Sequence, residues 1–231
     1  MRVLIYSVKL KNFIKANFKE DNKLYRFTQG LYRRFIFPYE RAAWKKKTAN
    51  GFESETALHM CSLLPKKTLD AVINYYHPET WLDVGCGTGT SLKYVQKHGI
   101  KTMGLENSDL AIKISKLQNL IRKHDLTIPL DLQQQFDVVW CYEVAEHLPE
   151  KSADTFLNTL VCHSNYIVLS AAVPGQGGDG HINEQPASYW IKKMNERGYI
   201  VDTPLTELIH ALHELYSGNI RCFKKLTWDT D

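Results

Sequence analysis

The chain has no run of 18 apolar residues, so nothing in it reads as a membrane-spanning helix, which needs roughly that length. Cysteine is scarce and badly spaced for pairing. Cys61, Cys86, Cys141, Cys162 and Cys222 are five in number, with no C-x-x-C among them. That pattern excludes a disulfide framework and a zinc knuckle, and it fits free thiols in a reducing compartment, cytoplasmic by default. Internal repeats and low-complexity linkers are lacking too. The first ten residues hold a brief apolar stretch that turns basic before any small-residue cleavage site, so no signal peptide is expected. The net charge is only +4.

What is present is enough for one sizeable core. At 231 residues and 44% apolar content, one domain with an appendage is the natural expectation. The charge is unevenly spread: residues 1–50 carry 13 Lys or Arg against 3 acids, and the remainder 16 against 22. The expected division is a basic helical N-terminal arm or cap over residues 1–50 and a mildly acidic main domain over 51–231. Between Tyr6 and Phe37, apolar and aromatic residues alternate with Lys and Arg as in one or two amphipathic helices, ended by Pro38. Such an arm could meet nucleic acid or another anionic surface. Its aromatics, Phe13, Phe18, Tyr25, Phe27, Tyr32, Phe35 and Phe37, equally suit packing against the main domain, which is the reading preferred.

The remaining pattern alternates strands and helices. Helices are expected over 53–60 and 66–76, then a first strand from Trp81. A helix over 91–98 stops at Gly99, and a second strand over 101–105 closes on Glu106. A helix over 108–117 is capped by Ser108. A weak third strand near 119–126, a fourth over 136–141, a helix from about 149 to 162 and a fifth strand over 166–172 follow. A glycine loop over 174–181 should be mobile. The chain then gives a helix over 185–196, a sixth strand over 199–202, a helix near 205–215 and a seventh strand over 219–228. The fold class expected is α/β: a Rossmann-like, seven-stranded, mostly parallel sheet with helices on both faces.

The most informative stretch is Trp81-Leu82-Asp83-Val84-Gly85-Cys86-Gly87-Thr88-Gly89-Thr90. An apolar run ending in an acid, glycine at alternate positions and a helical start read as strand, tight turn and helix N-terminus, the form of a nucleotide-cofactor turn. The G-x-G-x-G spacing differs from the dinucleotide-binding G-x-G-x-x-G and resembles motif I of class I S-adenosylmethionine (SAM) dependent methyltransferases. The resemblance implies that Asp83, Gly85, Gly87 and Gly89 hold the methionine part of SAM, with Cys86 a small packing residue in the same cofactor turn. An acid ending the second strand suits a ribose diol, so Glu106 is expected on the ribose. Asp125 matches the acid that meets the adenine amino group in this family, with a turn-forming Asp before Thr127 as the alternative.

A second constellation follows the fourth strand. Glu143, Glu146 and His147 are three and four residues apart, so a helix or tight turn puts them on one face. With His181 from the glycine loop they would form a two-carboxylate, two-imidazole set suited to a divalent metal. This E-x-x-E-H pattern with a later His resembles the small-RNA 3′-end 2′-O-methyltransferases and, in its first part, the ubiquinone-biosynthesis O-methyltransferases. That resemblance implies a metal-assisted site, with Mg or Mn held by Glu143, Glu146, His147 and His181, and His181, His147 and Glu146 as catalytic residues. Glu143 also lies where the SAM amino group is expected. In metal-free methyltransferases of the class, similar residues cap a helix or touch the cofactor, and His181 alone would then be the general base.

Gly180-His181-Ile182-Asn183-Glu184-Gln185-Pro186, with Tyr189-Trp190 behind it, offers directional hydrogen bonds and a flat apolar face, the chemistry of polyol recognition. The segment resembles methyltransferase domains of glycan biosynthesis, including those of large DNA viruses and those fused to glycosyltransferases. The function expected is SAM-dependent O-methylation of a sugar hydroxyl in a glycan or nucleotide-linked sugar, with a fused or associated glycosyltransferase as partner. RNA 2′-O-methylation and a SAM-binding module of a glycosyltransferase are the alternatives. Nucleic acid is disfavoured because the positive charge is confined to the arm and no RNA-binding motif is evident.

Overall fold

A computed structural model describes residues 64–226. The basic arm, the helix expected over 53–60 and the end of the chain lie outside the described residues. Among those described, no helix is long and apolar enough to cross a membrane.

The first helix, α1 (Lys66–Tyr76), leads into β1 (Thr80–Val84), α2 (Thr90–Gln96), β2 (Lys101–Glu106), α3 (Asp109–Ser115) and β3 (Ile121–Lys123). The second half runs β4 (Val138–Tyr142), α4 (Ala153–Val161), β5 (Tyr166–Ser170), α5 (Ala187–Asn195), β6 (Tyr199–Val201), α6 (Thr203–Ala211) and β7 (Ile220–Lys225). The strands form one seven-stranded sheet in the order β3-β2-β1-β4-β5-β7-β6. Its pairs are parallel except those of β7, which runs antiparallel between β5 and β6. The expected fold is therefore the observed one. Chain order reverses between β1 and β4, and an open α/β sheet binds ligands at the carboxyl ends of the strands flanking such a reversal.

Strand alternation divides the core. Trp81 of β1 and Trp140 of β4 face one side, their ring centroids 5.7 Å apart, and pack with Leu69 and Val72 of α1, Val95 of α2, and Leu205 and Ile209 of α6. Leu82, Val84, Val139 and Cys141 point the other way, onto Phe156, Leu157 and Leu160 of α4 and Trp190 and Met194 of α5. Each large apolar side chain buried this way contributes about 1.5–3 kcal/mol. Trp190 and Met194 lie four residues apart on the inner stripe of α5, which leaves Trp190 only 4% exposed. The aromatic pair expected to face a sugar is thereby split, with Trp190 committed to the core.

Several boundaries shift for local reasons. The helix expected from Pro149 begins at Ala153, because Pro149 is extended (φ −58°, ψ 139°) and residues Glu150–Ser152 form a 3-10 turn. Strand β3 has only three residues. Ser108 does cap α3, its hydroxyl accepting from Ala111 N at 3.2 Å.

The α1 N-terminus lacks a local cap, since Pro65 has no side-chain oxygen to offer. Glu214, far along the chain, supplies it: its carboxylate accepts from Lys67 N at 3.1 Å, Thr68 N at 2.8 Å and Thr68 Oγ1 at 2.7 Å. Glu214→Ala should therefore destabilise the domain by about 1–2 kcal/mol, the scale of a lost N-cap. A denaturant midpoint equal to the parent's would contradict this.

Candidate active site

The first half of the site grows from β1. Gly85 has φ +77°, and a Cβ there would lie 2.5 Å from Val144 Cγ2. Only glycine accepts both that backbone region and that close approach. The Gly85 and Cys86 amides both donate to Leu105 O, at 2.9 and 3.0 Å, which presses the turn onto β2. Cys86 packs with Leu92 and Ile121, and burial pushes its thiol pKa up, so it is an inert filler of the turn.

Glu106 closes the same turn from β2. One carboxylate oxygen accepts from Gly87 N at 2.8 Å and the other from Asn107 N at 2.9 Å and Ser108 N at 2.8 Å. A carboxylate has about four lone-pair sites, so three backbone bonds leave capacity for one hydroxyl where two were expected. Asp83, opposite Gly104 of β2 and Trp140 of β4 in the register, is 3% exposed. Burial first, and the neighbouring Glu106 second, push its carboxyl up to about 8. A buried acid so placed suits a cationic ligand, whose charge would restore ionisation. Asp125 adopts a local turn instead of an open pose: one oxygen accepts from Thr127 N at 2.9 Å and Thr127 Oγ1 at 2.8 Å.

The second half follows β4. Ala145–His147 form a 3-10 turn, and the Ile182 and Asn183 amides donate to Glu146 O at 2.9 and 3.0 Å, which seats the glycine loop against it. The rings of His147 and His181 stand edge to face, centroids 5.0 Å apart. His181 Nε2 lies 3.9 Å from Glu146 Oε1, and ligand atoms of Glu146, His147 and His181 all fall within 4.8 Å of one another. Three of the four expected ligands thus converge.

Glu143 stands outside that triad. Held at φ +55°, it accepts from Ser170 Oγ, from Asn219 Nδ2 at 3.1 Å and from Gln176 Nε2 at 3.2 Å. Ser170, Gln176 and Asn219 carried no signal in the sequence.

The charges in the triad fit a cation. Glu146 is fully buried and among the described residues neither carboxylate oxygen meets a donor in close hydrogen-bond geometry, although its own amide and that of Ala172 favour its charge and the Glu143 side chain opposes it. Burial, then repulsion from Glu143, pushes its pKa well above the carboxylate range. A buried acid so weakly compensated is costly, and a cation would reverse the shift. Burial, then the proximity of His181, lowers His147 to about 3, so its ring is neutral, as a metal ligand must be. In a second cluster, Asp131, Cys162 and His163, the imidazole is already engaged at both nitrogens: His163 donates at Nδ1 to Thr159 O and accepts at Nε2 from Leu132 N.

The glycine loop has no regular structure, as expected, yet it is tethered. Glu184 accepts from Gly175 N at 2.6 Å, Gly177 N at 2.7 Å and His181 Nδ1 at 3.0 Å. Gly178 is needed because a Cβ there would overlap the His181 ring. Glu184 is the main residue that sequence reasoning left without a role. Its only signal was a position three residues after His181.

Residues 43–163, more than half of the chain, match the family model of a methyltransferase domain. The chain belongs to that family. It is 29% identical over 104 residues to a ubiquinone biosynthesis O-methyltransferase of Nitrosomonas europaea, covering 42% of this chain and 44% of that protein. With the same enzyme of Shewanella halifaxensis it shares 27% over 129 residues, 51% of this chain and 55% of that one. The methyltransferase spans about half the length of these curated relatives. Among solved structures, a magnesium protoporphyrin IX methyltransferase from Synechocystis with bound SAH superposes with a TM-score of 0.53 at 14% identity, covering 86% of this chain and 100% of that one. A sugar N-methyltransferase from Streptoalloteichus gives 0.55 at 14%, covering 71% and 87%. At those identities the likeness is one of fold.

Proposed function

We propose that this methyltransferase transfers the methyl group of SAM to a hydroxyl of a sugar, in a glycan or a nucleotide-linked sugar, at a site that holds a divalent ion. The observation that carries this reading is the Glu146 carboxylate, buried beside two imidazoles at the carboxyl end of β4 with no donor among the described residues in close hydrogen-bond geometry. Glu146, His147 and His181 would hold Mg or Mn, and Asp83, the turn from Gly85 to Gly89 and Glu106 would hold SAM. When bound, SAM supplies an electrophilic methyl group on a sulfonium, and the ion supplies positive charge that acidifies a nearby hydroxyl.

The chain's own residues supply position and proton handling. Glu106 and the Leu105 carbonyl fix the turn that fronts the donor. Glu143 is braced by Ser170, Gln176 and Asn219 between the two halves, where it can meet the amino group of the donor. His181 presents Nε2 toward Glu146 from a ring whose side chain is 9% exposed, so little water competes there. An alcohol is a very weak acid, and a vicinal diol offers two oxygens to one cation, which is why a sugar suits this donor set.

His181→Ala should spare SAM binding and reduce transfer about 10²–10⁴-fold, the range of a lost proton-handling or orienting group. Excess chelator should suppress turnover, with Mg or Mn restoring it. Full turnover in chelator would eliminate the ion and leave His181 as general base, a second reading favoured by the 3.0 Å contact of its Nδ1 with Glu184. The ribose 2′-hydroxyl of RNA is an acceptor of the same chemistry, favoured by the 13 basic residues among the first 50. Salt-sensitive RNA binding would support it, and indifference to RNA would dismiss it.

A further inference from the structure

Glu184 lies between the glycine loop and α5, its side chain only 11% exposed. Three donors converge on its carboxylate: the amides of Gly175 and Gly177 and the Nδ1 of His181. Each of its two oxygens accepts a backbone amide, Oε2 that of Gly175 and Oε1 that of Gly177, the arrangement of a carboxylate that acts as acceptor only. A carboxylate cannot donate. The His181 nitrogen facing it must therefore carry the hydrogen, which leaves the lone pair of the neutral ring on Nε2.

That second nitrogen is the one that faces Glu146, at 3.9 Å, with the His147 ring edge to face beside it. One carboxylate thus controls two things. It selects which ring nitrogen is an acceptor, and it ties down the residues 175–177 that precede the ring. Gly178 completes the arrangement by leaving room for the ring.

We propose that Glu184 is the positioning residue of the acceptor site, holding His181 in the Nδ1–H tautomer with Nε2 open toward Glu146 while pinning the glycine loop beside it. The proposal rests on the reading of Glu146, His147 and His181 as that site. Whether His181 ligates an ion or accepts a proton, it needs the Nε2 lone pair, so the role of Glu184 is the same in both.

The test uses the full chain, its Glu184→Gln and Glu184→Asp variants, and ¹⁵N-histidine labelling. At alkaline pH, ¹⁵N NMR of the parent should show His181 as the Nδ1–H tautomer, its signals assigned by their loss in His181→Asn. Glu184→Gln keeps the size but removes the charge and one acceptor, and it should lose the single-tautomer pattern. Mn²⁺ titrated alone should bind Glu184→Gln about 10–100-fold more weakly, the range for lost partners of a ligating imidazole. SAM should bind within about twofold of the parent, and Glu184→Asp should recover part of the Mn²⁺ affinity. A merely structural role would depress SAM and Mn²⁺ binding together and leave the tautomer unchanged.

The proposal is overturned if the parent holds His181 as Nε2–H, a measurement that needs no variant, or if Glu184→Gln keeps the parent's tautomer. A parent that binds no Mn²⁺ overturns the metal reading instead, and the tautomer measurement then decides the role of Glu184 by itself.

Discussion

Asp83→Asn is expected to raise the melting temperature of the cofactor-free protein at pH 8 while weakening its binding of SAM. Asp83 is buried next to Glu106, and the two effects push its pKa up to about 8 from the ordinary 3.8. The folded pKa exceeds the unfolded one. The protonated form is thus favoured by folding: its contribution is fully present below about pH 4 and is lost as pH rises through about 8. Asparagine keeps the shape of the protonated acid and never ionises, so its advantage grows across that window. At 1.36 kcal/mol per pKa unit, the gain at pH 8 is on the order of several kcal/mol. SAM carries an ammonium and a sulfonium, and loss of a charged partner costs about 1.5–3 kcal/mol, roughly 10–100-fold in affinity. Thermal scans across pH without ligand, and calorimetric titration with SAM, read the two signs separately. An Asn variant less stable than the parent at pH 8 would show that Asp83 is not a destabilised buried acid.

The second large effect is at the turn. Gly85→Ala meets two independent penalties: a left-handed backbone, about 1–2 kcal/mol for a residue with a Cβ, and overlap with Val144, about 1–3 kcal/mol. Gly85 has φ +77°, and the new Cβ would lie 2.5 and 2.9 Å from the two Val144 methyls. Together these should lower the melting temperature by about 5–15 °C. Because Val144 precedes the 3-10 turn that bears Glu146 and His147, transfer should fall as well. Combining Gly85→Ala with Val144→Ala should relieve the overlap and leave the backbone strain. Strictly additive effects in that double-mutant cycle would refute the contact.

Much of the fold could be read directly. The helix Lys66–Tyr76 and the strands around Asp83 and Glu106 follow from periodicity and glycine spacing, because there local preference and tertiary packing agree. The acid cluster after the fourth strand was visible in part: Glu146 and His147 of the 3-10 turn do meet His181, whereas Glu143, three and four residues before them, lies outside that turn and apart from the triad. What stayed hidden depended on distant partners. Trp190 looks like a platform until α5 turns it inward, and nothing near Glu143 announces Asn219. Glu184 was legible only as a polar residue in a polar loop, because its importance lies in three donors that fold onto it.

The bracing of Glu143 has a practical corollary for anyone redesigning acceptor choice. Gln176 and Asn219 bond each other at 2.9 Å, so the segment that would discriminate acceptors is clasped to the lead-in of β7 as well as to Glu184. It is not a detachable cassette: a loop transplanted from a sibling enzyme would arrive without its clasp unless position 219 travelled with it.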